Sequence, residues 1–228
     1  MFLEIAAVFL PLCLGLAIND SLGSDHIPLG GNTVLLQGPI AYLGLLISLA
    51  ILWIAAWLRG ASWSYFGLTR PKSWFRTVLL GFGVALGILG AVVLAINPVI
   101  NALNLEPRDM SMFNHLTGNL PSLIINLVAM WITAAFLEEL MWRGYLMNRL
   151  IDLLGKRTIT AWVFALVVSA VLFGLIHSYQ GPAGMIKTGA IGFVFGLAYL
   201  AVGRNLWPLI FAHALIDSLD FVTHFLGG

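Results

Sequence analysis

Charge is what this chain has least of. Only 9% of its 228 residues are Asp, Glu, Lys or Arg, and the formal net charge is +1. No basic face or charge run is present, which argues against a nucleic-acid partner. Cysteine is nearly absent as well: Cys13 alone can form no intrachain disulfide. It lies inside an apolar run, a poor setting for a thiolate nucleophile, and is expected to be a small buried residue. Strands of period two are missing, which disfavours a transmembrane barrel. No Pro/Ser-rich linker and no repeat divides the sequence, so residues 1–228 read as a single membrane domain.

What is present is apolar, at 60% of residues. A soluble globule of that composition would expose large apolar surfaces, so an integral membrane protein is expected. Bilayer-length runs fall at about 1–19, 34–58, 77–96, 120–142, 159–177, 184–202 and 206–226, each near the roughly 20 residues that cross hydrocarbon as a helix. The fold class is therefore all-α and polytopic, a bundle of about seven transmembrane helices. The first run lacks a basic n-region and a small-x-small cleavage pattern, so Met1 to Ile18 is expected to remain as a helix.

Nine of the eleven basic residues fall on one side of this arrangement. They are Arg59, Arg70, Lys72 and Arg76 in one loop, Arg143, Arg149, Lys156 and Arg157 in a second, and Arg204, while Arg108 and Lys187 oppose them. The positive-inside bias then puts the amino terminus in the cytoplasm, and the expected location is the cytoplasmic membrane, crossed several times. The loop 62–76 mixes Trp63, Tyr65, Phe66, Trp74 and Phe75 with basic residues, the composition of a segment lying at headgroup level. Residues 97–119 read as a loop or short surface helix, with His115 solvated. The pairs Gly83-x-x-x-Gly87 and Gly192-x-x-x-Gly196 read as close helix packing.

The polar residues inside the runs need a different account, because a charge near the bilayer centre costs about 2.5–3.5 kcal/mol even on insertion scales. The stretch AAFLEELMWRGYL carries Glu138, Glu139 and Arg143. On an α-helix the two carboxylates point about 100° apart. Glu139 and Arg143 are four apart in the favourable acid-first order, which makes Glu139 the structural anchor. Glu138 is then the carboxylate available for chemistry, as a general base whose basicity burial would raise. His177 ends a later run. His213, Asp217, Asp220 and His224 follow four-three-four spacing on the last helix, a polar stripe that should face protein or a watery cavity. No role is assigned to Asp220 or His224. By residue counts His213 sits about seven positions, or roughly 10 Å, into its run and His177 about nineteen into its own, so tilt or helix extension must level them.

Glu138-Glu139-Leu140-Met141-Trp142-Arg143, Phe173-Gly174-Leu175-Ile176-His177 and His213-Ala214-Leu215-Ile216-Asp217 together resemble the pattern of the CPBP intramembrane proteases. That family includes the CAAX prenyl proteases of the Ras-converting type and bacterial self-immunity proteins. The resemblance covers about 120–226, which would be the protease core; the first three helices carry no motif.

The resemblance implies a hydrolase, an endopeptidase acting inside the bilayer on a membrane-associated peptide or protein. Glu138 and His177 would activate a water, and His213 with Asp217 would stabilise the oxyanion, supported by Glu139, Arg143 and Phe173. Asp217 stands where the family also uses Asn, and it can donate only if protonated. No cofactor is expected. The alternative is Zn2+ on Glu138, His177 and His213, the two-His, one-Glu set of zinc hydrolases, although no His-Glu-x-x-His occurs. Two readings outside proteolysis use the same residues: a proton or ion pathway, which should show paired helical repeats, and a non-catalytic immunity or scaffold protein.

Overall fold

The computed structural model describes residues 1–22, 26–29, 34–37 and 39–227, with side-chain surroundings for 1–18 and 40–227. Seven long helical segments among the described residues follow the seven apolar runs. They are α1 (Phe2–Leu22), α2 (Pro39–Leu58), α3 (Trp74–Ala102), α4 (Leu120–Leu154), α5 (Ile159–Leu175), α6 (Gly181–Ala201) and α7 (Trp207–Phe225). Among the described residues, four stretches are long and apolar enough to cross a membrane: Ile40–Leu58, Trp74–Ala102, Leu120–Leu154 and Ser178–Ala201. Phe2–Ile18 and Ile159–Leu175 are shorter apolar helices. Large apolar side chains such as Leu3, Trp57, Phe75, Leu94 and Ile159 point outward, while Glu139 and Arg143 are buried. That inversion of the soluble pattern is what a lipid solvent imposes, and the chain is a polytopic all-α membrane protein.

Several boundaries differ from those read in the sequence. Residues 34–37 are not helical: Val34–Gln37 pairs antiparallel with His26–Leu29, His26 facing Gln37 and Leu29 facing Val34. Pro39 then opens α2, since its fixed φ suits a first turn and its missing N–H costs nothing there. Helix α3 runs past residue 96 through a π turn, Val92–Ile96, into Asn97–Ala102. His115 is a half-buried member of a 3-10 turn, Ser111–Leu116, and not a solvated loop residue; its Nδ1–H donates to the Met112 carbonyl at 2.9 Å. Cys13 is exposed on α1 and not buried.

The largest extension is in α4, expected to stop near residue 142. It continues to Leu154, where Gly155 at φ 64° ends it in the left-handed conformation that glycine adopts without strain. Arg143 and Arg149 are therefore buried helix residues and not members of a basic loop. The extension is possible because their charges are met inside the protein.

Contacts divide the chain into two compact units. In the first, residues 1–61, 110–134 and 217–228, α1 packs on α2 at Gly15 and Gly44. A Cβ on Gly15 would lie 2.9 Å from the Ile40 carbonyl oxygen and 3.0 Å from the Gly44 Cα. The Leu12 N–H donates to Ser48 Oγ at 3.0 Å, and Glu4 pairs with Arg59 at 3.2 Å.

The second unit comprises residues 62–109 and 135–216. Here α5 and α6 cross closely, and a Cβ on Gly174 would sit 2.6 Å from the Met185 carbonyl oxygen and 3.0 Å from the Gly189 Cα. Gly192 and Gly196 accommodate side chains of Phe173 and Leu166. Gly83 and Gly87, read as a packing pair, face open space instead: among the described residues nothing lies within 4 Å of where a Cβ would stand on either. The 62–73 segment is anchored more firmly than a headgroup-level loop requires. Phe66 is buried, Tyr65 Oη donates to Asp152 Oδ2 at 2.6 Å, and the Gly67 carbonyl accepts from the Leu206 N–H at 2.9 Å. Trp63, Trp74 and Phe75 stay exposed.

Candidate active site

The candidate site is built on a departure from α-helical geometry. Within α4, Trp131–Glu138 and Leu140–Met147 are wound as π-helix. Hydrogen bonds there skip to the fifth residue, a widening frequent at functional positions. The wider turn changes what Glu138 faces. Read as an α-helix, Glu138 and Arg143 fall on different faces; wound as π, residues four and five apart both approach one turn. Glu138 is half-buried and within electrostatic reach of the Arg143 guanidinium.

Glu139 is fully buried and its Oε1 accepts two hydrogen bonds. One comes from Arg143 Nη1 at 2.8 Å, the ion pair that the four-residue spacing leads one to expect, and the other from His213 Nδ1 at 2.9 Å. Glu139 Oε2 is buried with no hydrogen-bond partner among the described residues. Arg143 is held by its two terminal nitrogens, while its Nε is buried with no hydrogen-bond partner among the described residues. Its Nη2 donates to the Gly192 carbonyl at 3.0 Å, and the guanidinium lies 4.9 Å from the Phe173 ring centroid and 5.1 Å from that of Phe195. Such cation–π contacts help hold a charge that water no longer solvates. Gly192 must lack a side chain, because a Cβ would come 2.8 Å from Phe173 Cδ1 and 3.5 Å from Arg143 Nη2.

His177 follows the end of α5, and its Nδ1 lies 2.7 Å from the Phe173 carbonyl oxygen. A carbonyl can only accept, so Nδ1 carries a proton. The Phe173 ring meets the His177 ring edge-on at 4.8 Å, and Trp142 packs on the other side of Phe173 at 5.3 Å. One residue thus orients the histidine through its carbonyl and covers Arg143 with its ring. On α7, His213 is buried and tilts against Phe195 at 5.1 Å.

Glu139, Arg143, Phe173, His177 and His213 are therefore linked by a chain of contacts. Asp217 follows His213 by one turn on α7, where the chain passes into the other compact unit with Asp220 and His224. His224 stacks on Phe113 at 5.8 Å, within the first unit. Sequence reading missed Phe195 and Gly192 as parts of this cluster. Their three-residue spacing on α6 was a helix-face signal, but Gly192 had been explained by packing alone.

Zinc requires at least three protein ligands in catalytic sites. Among the described residues no three His, Cys, Asp or Glu side chains are grouped to hold a metal ion.

Over residues 120–219 the chain matches a family model described as type II CAAX prenyl endopeptidase Rce1-like. Neither a curated protein nor a solved structure matches the chain significantly.

Proposed function

We propose, from the match of residues 120–219 to the Rce1-like family model of type II CAAX prenyl endopeptidases, that this integral membrane protein hydrolyses a peptide bond of a membrane-associated peptide or protein by a metal-free mechanism. Glu138 is the general base. It takes a proton from a water whose orientation is set by the Nε2 lone pair of His177, and the hydroxide attacks the scissile carbonyl carbon. His213 donates to the oxyanion that forms, helped by Asp217 from one turn further along α7. When the tetrahedral intermediate collapses, the carbonyl is restored, the C–N bond breaks and protonated Glu138 returns its proton to the leaving amine.

The observation that carries this reading is the linkage of all three motifs through two residues. Glu139 joins Arg143 to His213, and Phe173 joins Arg143 to His177. A bilayer offers no water to solvate such groups, so their burial demands compensation, and the cluster supplies part of it. We place the amino terminus on the cytoplasmic side by the distribution of basic residues.

The test is purified protein in proteoliposomes, assayed on membrane-anchored peptides with metal analysis and with or without a strong chelator. Cleavage that survives chelation is expected. Stoichiometric zinc, with activity lost on chelation and regained on zinc addition, would transfer these residues to a metal mechanism.

A further inference from the structure

The proposed mechanism gives Glu139 no chemical part, yet the geometry around it is more specific than an ion pair requires. An Arg–carboxylate pair formed for its own sake favours two parallel hydrogen bonds, one to each oxygen. Here both donors crowd onto Oε1, Arg143 Nη1 at 2.8 Å and His213 Nδ1 at 2.9 Å, and Oε2 is left buried without a partner among the described residues. An unpaired oxygen on a fully buried carboxylate is costly, and such groups in native structures call for an explanation. The arrangement forgoes the better ion pair and gains a fixed histidine.

The chemical consequence lies on the far side of the ring. A carboxylate only accepts, so Nδ1 of His213 must carry a hydrogen, and in the neutral ring Nε2 is then a lone pair. To donate to an oxyanion from Nε2, His213 has to be the imidazolium. The carboxylate on Nδ1–H favours that form, and Arg143 keeps the carboxylate ionised and in place. We infer that Glu139 is a positioning residue for the proposed reaction: through Oε1 it fixes His213 in the Nδ1–H state and stabilises the imidazolium whose Nε2–H meets the oxyanion. This assignment rests on the proposed endopeptidase reading and gives Glu139 a part distinct from that of Glu138, its neighbour in sequence. Arg143 serves it indirectly, its guanidinium placed by Phe173, Phe195 and the Gly192 carbonyl.

The single variant Glu139→Gln would strand the buried Arg143 charge and risks misfolding, so the decisive test removes both charges. Replacing a buried ion pair by apolar residues of similar volume is often neutral or stabilising. The double variant E139L/R143M should therefore fold, giving a monodisperse protein with a melting temperature close to wild type. It should lose about 10²–10³-fold in kcat with KM changed by less than about threefold, the signature of an interaction made in the transition state. If Glu139 serves only to neutralise Arg143, the double variant keeps kcat within about threefold of wild type, and the positioning role is overturned.

A second measurement does not depend on turnover. Imidazole 15N shifts of His213 should report protonated Nδ1 in wild type and a mixture of tautomers in the double variant. Wild-type His213 with its proton on Nε2 alone overturns the inference while leaving the protease reading intact. Wild-type protein that cleaves no membrane-anchored peptide overturns the functional reading, and with it the catalytic use of this histidine.

Discussion

Two of the acid–arginine pairs, one in each compact unit, are opposites. Glu4 and Arg59 meet at 3.2 Å with side chains 20% and 25% exposed, near the ends of α1 and α2. Glu139 and Arg143 meet at 2.8 Å with 0% and 1% exposed. The first pair sits where its charges keep part of their hydration, and pairs of that kind contribute at most about 1 kcal/mol. Forming the second removes two charges from water, a desolvation penalty that their attraction often fails to exceed, so stability does not explain its presence. The same contrast holds for the helix packing. Around α1 and α2 the contact rests on Gly15, Gly44 and a serine hydroxyl, whereas around Arg143 it rests on two aromatic rings, a backbone carbonyl and a histidine. Polar groups whose burial carries a penalty mark the working half of the chain.

The comparison can be broken by neutralising a carboxylate in each unit. Glu138→Gln keeps the shape of the side chain and removes the base, so proteolysis should fall by about 10²–10⁴-fold while the protein remains folded. Glu4→Gln should leave the rate unchanged. Initial rates on one anchored peptide, measured for both variants in the same vesicles, decide the matter, and full activity in Glu138→Gln would remove it from the mechanism.

Stability should show the next largest difference. Glu139→Gln leaves a buried guanidinium without its counter-charge, which costs about 3–5 kcal/mol, against at most about 1 kcal/mol for Glu4→Gln. Unfolding in a mild detergent, followed by denaturant titration, gives both values. Equal losses would mean that exposure does not distinguish the two pairs.

How much of this was legible depended on whether the signal was local. The seven apolar runs carry their own periodicity and length, and the seven helices follow them. Glu139 with Arg143 was legible because residues four apart meet on α-helical and π-helical turns alike. The relation of Glu138 to Arg143 was not, because it depends on the π winding of Trp131–Glu138 and Leu140–Met147, and no composition rule announces that winding. The end of α4 was misread for a related reason. Glu138, Glu139 and Arg143 look like the polar edge of a membrane span, and only partners on α6 and α7 allow the helix to continue to Gly155. The bond from His213 to Glu139 joins residues 74 positions apart, and the Phe195 ring beside it sits outside every motif. Tertiary contacts of that kind leave no trace in spacing.

The smallest effect concerns the 62–73 segment, whose aromatic and basic composition suggested a headgroup-level loop. If it only lay at the membrane surface, Tyr65 would titrate as an exposed phenol. Instead burial, reinforced by the hydrogen bond to Asp152 and the charge of that carboxylate, pushes the Tyr65 phenol up to about 12, with Arg149 opposing. The sign follows from linkage. The unfolded chain releases this proton near its ordinary value of about 10, while the folded protein holds it until about 12. The contribution is therefore complete below pH 10 and declines as pH rises through that window. Tyr65→Phe removes both the phenol and its bond to Asp152, whose remaining partners are Arg149 at 3.1 Å and Arg157 at 3.2 Å. At neutral pH the variant should be less stable by about 1 kcal/mol. Because other tyrosines and lysines titrate in the same range, the informative quantity is the difference between wild type and variant. That difference should be flat from pH 7 to about 9, then fall and change sign towards pH 12 in denaturant titrations. A difference that stays constant across the window would mean that Tyr65 is not held by Asp152 and that the segment is a surface loop after all.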